Sequence, residues 1–561
     1  MDAPGGRHRT RRQGEPLVSS TAPTAPGSAV PSSRAPQVGD VVAEAGRRRT
    51  FAVISHPDAG KSTLTEALAL HARVIGSAGA VHGKAGRRGT VSDWMDMERD
   101  RGISITSAAL QFAYRDAVVN LLDTPGHADF SEDTYRVLTA VDAAVMLVDA
   151  AKGLETQTMK LFAVCKHRGI PIITVINKWD RPGMDALALM DEITERTGLI
   201  PTPLTWPVGI AGDFRGVLDR RDGSYRHFTR TAGGATIAPE EVFPAEAAAA
   251  REGDAWTQAV EESELLAETG AEHDQEMFLA GDTTPVLFAS AVSNFGVGQL
   301  LDVLVDLAPA PTPRPDAEGQ PHPLDAPFSA FVFKVQAGMD TGHRDRLAYI
   351  RICSGVFERG MVVTNASTGR PFATKYAQQV FGRDRETIET AWPGDVVGLV
   401  NAAALGVGDT LYVDRPVTYP PVTTFAPEHF AVARVADTSK YKQFRKGIDT
   451  LAGEGVVQVL VSERRGDGSP VFAVVGPMQF EVASHRMEHE FGARISLDSL
   501  PYSLAMKTDE ASVPAITSSS GTEVMERADG ELLALFTTKW VMGMVREKPG
   551  VTLEPLVAAQ L

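Results

Sequence analysis

The chain has 561 residues, which at roughly 100–200 residues per domain predicts about three domains. Apolar residues make up 43% and charged residues 22%, the composition of a protein with packed cores rather than of a disordered or fibrous chain. The formal net charge of −16 excludes a grip on nucleic acid through an overall basic surface; RNA contact would need local basic patches or a protein intermediary.

In chain order, the N-terminal stretch is rich in Pro, Ser, Ala, Gly and Arg and poor in large apolar side chains. Such a segment cannot bury enough surface to offset the entropy of ordering, so a disordered extension is expected over residues 1–46. The Arg11-Arg12 pair resembles part of an export signal, but no apolar stretch follows it. The most apolar run, Val141 to Ala151, is interrupted by Asp142 and Asp149. It is far shorter than the roughly 20 residues that span a bilayer, so a cytoplasmic protein with no membrane contact is expected.

From Arg47 onward, apolar and β-branched runs at Phe51–Ser55, Val118–Asp123, Ala144–Asp149, Ile172–Asn177 and Val286–Ser290 alternate with helical stretches. That alternation predicts an α/β domain over 47–310, with a mainly parallel sheet covered on both faces and an insertion at about 181–285. The Pro-rich segment 311–327 has the composition of a linker. Residues 328–420 carry short strand-like runs with turns at Ser354-Gly355, Pro393-Gly394 and Gly408-Asp409, the pattern of a β-barrel domain. Residues 421–561 mix helical patterns (Lys440–Glu454, Gln479–Phe491) with strands (Val456–Val461, Val471–Val475) and predict a C-terminal α+β domain. Cys165 and Cys353, far apart in the chain, read as two core thiols rather than a disulfide or zinc site.

Four motifs in the first domain carry chemistry. Ser55-His56-Pro57-Asp58-Ala59-Gly60-Lys61-Ser62 follows a strand and opens a helix, the setting of a phosphate-binding loop. Its backbone N–H groups would hold phosphates, Lys61 would reach the β/γ oxygens and the Ser62 hydroxyl would meet Mg²⁺. Ser55 stands where the consensus has glycine, and Pro57 offers no N–H. Asp123-Thr124-Pro125-Gly126 ends another strand. Asp123 would hold Mg²⁺ through water, and Gly126, with no side chain in the way, would bring its amide to the γ-phosphate. Asn177-Lys178-Trp179-Asp180 is a guanine-reading signature, because the Asp180 carboxylate accepts from N1–H and the 2-amino group, a pattern adenine lacks. Ser290-Ala291 fits the last base loop, whose backbone would meet O6. Together these predict a GTP site.

His127 directly follows Gly126, and Ser92–Thr106 (SDWMDMERDRGISIT) lies between the phosphate loop and Asp123. These features resemble the translational GTPases, the family of elongation factors G and Tu. Longer stretches such as DTPGHADFSEDTYRVLTAVDAAVMLVDAAKG, FVFKVQAGMDTGHRDRLAYIRICSG and VVGPMQFEVASHRMEHEF are similar to the release factor 3 family within it.

The resemblance implies that His127 positions the attacking water when the ribosome docks, and that Ser104 supplies a second Mg²⁺ hydroxyl. It also implies that Pro57 and Ile103 flank the histidine. The implied activity is ribosome-stimulated GTP hydrolysis, with Mg²⁺ accompanying GTP or GDP. The implied partners are the ribosome (its RNA and proteins) and class I peptide release factors, which the protein, acting as a monomer, would eject after peptide release. Another translational GTPase, acting in translocation or ribosome rescue, is the alternative. His343, Arg344 and Arg346 would face ribosomal RNA or form a local ion-pair cluster.

Overall fold

A computed structural model describes residues 38–74, 108–231, 236–337, 346–381, 384–422, 425–462, 465 and 469–556. Ser104, Ile103, His343 and Arg344 lie outside the described residues, as do residues 1–37 of the expected extension. Residues Val38–Gly46, assigned to that extension by composition, form a helix (α1). Val41 and Ala45, one turn apart, are both buried, so this short apolar stripe finds a surface that composition could not reveal.

The first domain continues through β1 (Arg48–Ser55), α2 (Lys61–His71), β2 (Ala108–Tyr114), β3 (Ala117–Asp123), α3 (Ser131–Leu138), β4 (Ala143–Asp149), α4 (Thr156–His167), β5 (Ile172–Asn177), α5 (Ala186–Thr197) and β6 (Ile200–Pro203). Then come β7 (Thr205–Val208), β8 (Gly216–Asp219), β9 (Tyr225–Phe228), β10 (Glu240–Phe243), α6 (Ala245–Glu252), α7 (Asp254–Glu268), α8 (Gln275–Ala280), β11 (Thr283–Phe288) and α9 (Val297–Leu307). The central sheet runs β2-β3-β1-β4-β5-β11-β6. Every neighbouring pair is parallel except β2 with β3, an antiparallel edge.

Both faces of this sheet are buried, which is why its strands read as unbroken apolar runs. Along β4, Ala144, Met146 and Val148 enter one core with Leu161 and Phe162 of α4. Ala143, Val145 and Leu147 enter the other, with Leu64 and Leu68 of α2 and Leu300 and Leu304 of α9. Each such fully buried large aliphatic side chain stabilises the fold by about 1.5–3 kcal/mol.

Residues 181–285 contribute to two sheets. Helix α5 packs into the main core through Leu189 and Ile193, and β6 joins the central sheet beside β11. The antiparallel sheet β10-β9-β8-β7 is distinct from the central sheet, though its Trp206, Val217 and Tyr225 share the buried cluster of Met146 and Phe288. The Pro-rich segment also has structure, a small hairpin pairing Arg314–Pro315 with Pro321–His322.

The second domain is β-barrel-like, an eight-stranded antiparallel sheet organised around Ser329–Ala337 paired with Arg346–Ser354. Val332, Ile350, Ile352 and Leu411 fill its own core. Phe331, Phe333, Tyr349 and Val396 instead join the buried cluster that contains Tyr135 and Leu161 of the first domain. The third domain has a second eight-stranded sheet carrying α10 (Tyr441–Glu454) and α11 (Met478–His489) on one face, packed through Phe444, Leu451, Ala483 and Met487. Cys165 and Cys353 are buried free thiols, and burial pushes the Cys165 thiol up to about 12. Among the described residues no helix is long and apolar enough to cross a membrane.

Candidate functional site

The site forms where β1, β3, β5 and β11 end. Strand β1 stops at Ser55, which is buried with its hydroxyl donating to the His56 carbonyl at 2.9 Å. The loop then turns through two left-handed residues, Asp58 (φ 65°) and Gly60 (φ 99°), and Gly60 is the N-cap of α2. Glycine is required there twice over, since a Cβ would also lie 2.6 Å from the Asn177 side-chain nitrogen. Lys61 and Ser62 open α2, so that helix aims its free N–H groups into the loop, an arrangement suited to anions.

Asp123, at the buried end of β3, brings a carboxylate oxygen to 4.0 Å from Lys61 Nζ. The turn after it is held from two sides. Thr124 Oγ1 donates to the Val53 carbonyl at 2.8 Å, and Thr134 Oγ1 donates to the Pro125 carbonyl at 3.1 Å. Gly126 thereby comes so close that a Cβ on it would sit 3.3 Å from Lys61 Nζ and 3.5 Å from Pro57 Cα. Pro57, Lys61, Asp123 and Gly126 therefore converge on one point, where a cation, an acid, an amide and a helix terminus match a metal-bound polyphosphate.

The base end is held together by Asn177. Its amide nitrogen donates to the Ala59 carbonyl at 2.7 Å, and its amide oxygen accepts from the Ala291 N–H at 2.9 Å. Within the Ser290-Ala291 loop, whose backbone is expected to meet guanine O6, the Ala291 N–H is thus engaged by Asn177. Lys178, also left-handed (φ 65°), donates to Asp149 Oδ2 at 2.8 Å and to the Asp58 carbonyl. Burial alone would raise the Asp149 carboxyl, but hydrogen bonds from Lys178 and the Ala151 N–H hold it below its ordinary value.

Trp179 is buried edge-on against Phe288, with ring centroids 4.8 Å apart, and its backbone N–H donates to the Ala289 carbonyl. That anchor fixes the next residue, Asp180, whose Oδ1 is buried without a hydrogen-bond partner among the described residues, as is Ser290 Oγ. A buried carboxylate oxygen left open in this way costs free energy unless a ligand donates to it, and the N1–H and 2-amino group of guanine would do so.

His127 follows Gly126 with a partly exposed side chain, and its Nδ1 lies 3.2 Å from Asp129 Oδ1. On the other rim, His56 Nε2 lies 2.9 Å from Glu155 Oε1, and burial pushes that imidazole below its ordinary value against the pull of Glu155. Sequence reasoning assigned no role to Asp129, Asp149, Glu155 or the bridge from Lys178 to Asp149. Asp129 had a signal, standing two residues beyond His127 at hydrogen-bonding reach of its own turn. For Asp149 and Glu155 the partners come together only through the sheet. Arg346, offered as an RNA contact, donates to the Gly453 carbonyl at 3.3 Å, a link between the second and third domains.

Comparison with known proteins agrees with this geometry along the chain. Residues 46–310 match the Elongation factor Tu GTP binding domain, 327–414 match Elongation factor G domain 2, and 419–546 match the Class II release factor RF3, C-terminal domain. The chain is 46% identical over 517 residues to Peptide chain release factor 3 of Gloeobacter violaceus, covering 91% of this chain and 97% of that protein. It is 46% identical over 511 residues to the protein of the same name from Symbiobacterium thermophilum (90% and 97% covered). For the one from Synechococcus elongatus it is 48% identical over 462 residues (82% and 83% covered). A crystal structure of a Thermus thermophilus protein shares the fold, with a TM-score of 0.64 at 22% identity over 86% of this chain and 71% of that one. Relatives 46% identical over nine-tenths of the chain, together with the matched domains, lead to one conclusion: this chain belongs to the peptide chain release factor 3 family of translational GTPases.

Proposed function

We propose that the protein is a ribosome-stimulated GTPase of translation termination that promotes dissociation of class I release factors from the ribosome after peptide release. The observation that carries this reading is the extent of the relatedness. Nucleotide chemistry is common to all translational GTPases, whereas 46% identity over nine-tenths of the chain includes the C-terminal domain matched at 419–546. The ribosome and class I release factors are the partners of this reading, the cytoplasm its setting and a monomer its working form.

In the reaction, water attacks the γ-phosphorus, the bond to the β–γ bridging oxygen breaks, GDP leaves, and the proton of water ends on inorganic phosphate. Lys61 and the loop amides bind the β and γ oxygens, the Gly126 N–H donates to the γ-phosphate, and His127 positions the water. Ser62 and Asp123 are the described residues suited to hold Mg²⁺, with Ser104 as a further hydroxyl; the ion supplies charge neutralisation on the phosphates when bound. Asp180 selects guanine over adenine.

The test is the release of a labelled class I release factor from post-termination ribosomes, with and without this protein and GTP. Acceleration only when both are present is the expected result. Ribosome-stimulated hydrolysis with no acceleration of release would move the protein to another step of translation.

A further inference from the structure

The Asp129 carboxylate serves two clients in different domains. Its Oδ1 lies 3.2 Å from His127 Nδ1, and its Oδ2 accepts from the Met478 N–H at 2.7 Å, the first residue of α11 in the third domain. The approach is tight, because a Cβ on Gly476 would fall 2.2 Å from Asp129 Cγ, so only glycine admits the carboxylate. Next to it, Phe130 packs against Val482 and Met478, and Arg136 of α3 donates to the Glu454 carbonyl at 2.9 Å. Asp129 is itself nearly buried, in a setting where a carboxylate at a helix N-terminus is favoured.

Among the described residues the imidazole also meets the Phe130 ring, with centroids 6.3 Å apart, and the Asp129 backbone N–H, 3.5 Å from the same Nδ1. The two contacts to Nδ1 demand opposite tautomers. The shorter contact, to the carboxylate, favours the tautomer with the proton on Nδ1 and Nε2 as the acceptor.

We infer that Asp129 is a positioning residue for hydrolysis: it fixes the tautomer of His127 and ties that choice to the seating of α11. A carboxylate held by Met478 keeps Oδ1 turned to the histidine. When α11 is displaced, Oδ2 loses its donor and Oδ1 loses the constraint that aims it. The third domain, which contributes none of the nucleotide motifs, thereby acts on the group proposed to hold the water.

This rests on the proposed role of His127, and the experiment separates the two. Asp129→Asn keeps an oxygen for Met478 but presents an NH₂ to His127, reversing the hydrogen bond at Nδ1. Gly476→Ala disturbs the same contact from the third domain alone. For the full-length chain, ribosome-stimulated kcat and KM for GTP are measured beside His127→Ala, and the His127 tautomer is read from imidazole ¹⁵N shifts. Expected is a loss in kcat on the order of tenfold or more for Asp129→Asn, with KM within about twofold, and Nε2–H replacing Nδ1–H in the spectrum. Gly476→Ala moves kcat and the spectrum in the same direction. Unchanged kcat and an unchanged tautomer in both variants, beside an inactive His127→Ala, would overturn the inference and leave the histidine reading standing. An active His127→Ala would remove the histidine reading instead, and the ¹⁵N spectra would still decide whether Asp129 sets the tautomer.

Discussion

Asp395, at a turn of the barrel, places its carboxylate 3.2 Å from Nε of Arg48, the first residue of β1, and both side chains are buried. The same carboxylate accepts from Gln111 Nε2 at 2.8 Å and Asn120 Nδ2 at 3.3 Å, so β1, β2 and β3 all donate to one residue of another domain. The preceding Gly394 carbonyl accepts from Thr50 Oγ1 at 2.8 Å. Burial pushes the Asp395 carboxyl up, while Arg48, the Trp392 N–H and Asn120 work against that rise. Arg48 has a second carboxylate partner in Glu44, whereas the Asp395 carboxylate has no other cation among these contacts and without Arg48 would be held by neutral donors alone.

Arg48→Met should therefore destabilise the chain by about 3–5 kcal/mol, and Asp395→Leu by less, because Arg48 keeps Glu44. The double variant should recover a large part of the Arg48→Met loss, since it removes the buried carboxylate and leaves Glu44 to the partly exposed Arg47. Calorimetric unfolding of the three variants measures this directly. Additive losses would mean that the two side chains are not coupled.

Asp180→Asn should exchange an acceptor for a group that presents N–H to the N–H face of guanine. GTP binding is expected to weaken by on the order of a hundredfold or more, while xanthosine triphosphate, which carries an oxo group at that position, regains affinity. Titration with fluorescent nucleotide analogues gives both affinities. If GTP binding is unaltered, Asp180 does not face the base.

His127→Ala should leave GTP affinity nearly intact and lower ribosome-stimulated hydrolysis by well over roughly tenfold, the scale of a lost positioned group. Lys61→Ala should instead weaken nucleotide binding itself, because Lys61 faces Asp123 and Gly126 at the phosphate end. Equal loss of binding and turnover in His127→Ala would mark the histidine as structural.

The third domain should show an acid limb set by Glu523. Burial alone would raise its carboxyl, but hydrogen bonds from Arg465, at 2.7 Å, Ser462 and Tyr502 hold it below its ordinary value. A carboxyl depressed in the folded chain binds its proton less readily there than in the unfolded chain. It thus adds stability above the ordinary carboxylate range, and the contribution is lost as pH falls through the depressed value. Melting temperatures of the chain and of Glu523→Gln should converge below that value and separate above it. Parallel curves across the acid range would show that Glu523 carries none of the dependence.

The five strands read from apolar runs were legible because a sheet buried on both faces needs apolar side chains at successive positions, as from Ala143 to Val148 along β4. The phosphate and base loops were legible because each follows such a strand and uses residues, Gly60 or Asp180, that few other contexts favour. Other features left no local trace. Helix α1 is anchored by Val41 and Ala45 in a stretch whose average composition is that of a tail. The role of Asp129 depends on a backbone N–H 349 residues further along. Arg48 and Asp395, 347 positions apart, have no periodicity that would pair them. Local pattern reports what a segment does with its own neighbours; contacts between domains are set by where each domain presents its surface.

Asn177 spends one end of its amide on the phosphate loop and the other on the last base loop, so the two cannot shift independently without breaking a bond. GDP and GTP present an identical base to this clasp. On the proposed reading, any preference between them originates at the far end of the ligand, around Lys61, Asp123 and Gly126, with the base half as a fixed anchor against which a missing γ-phosphate would be sensed.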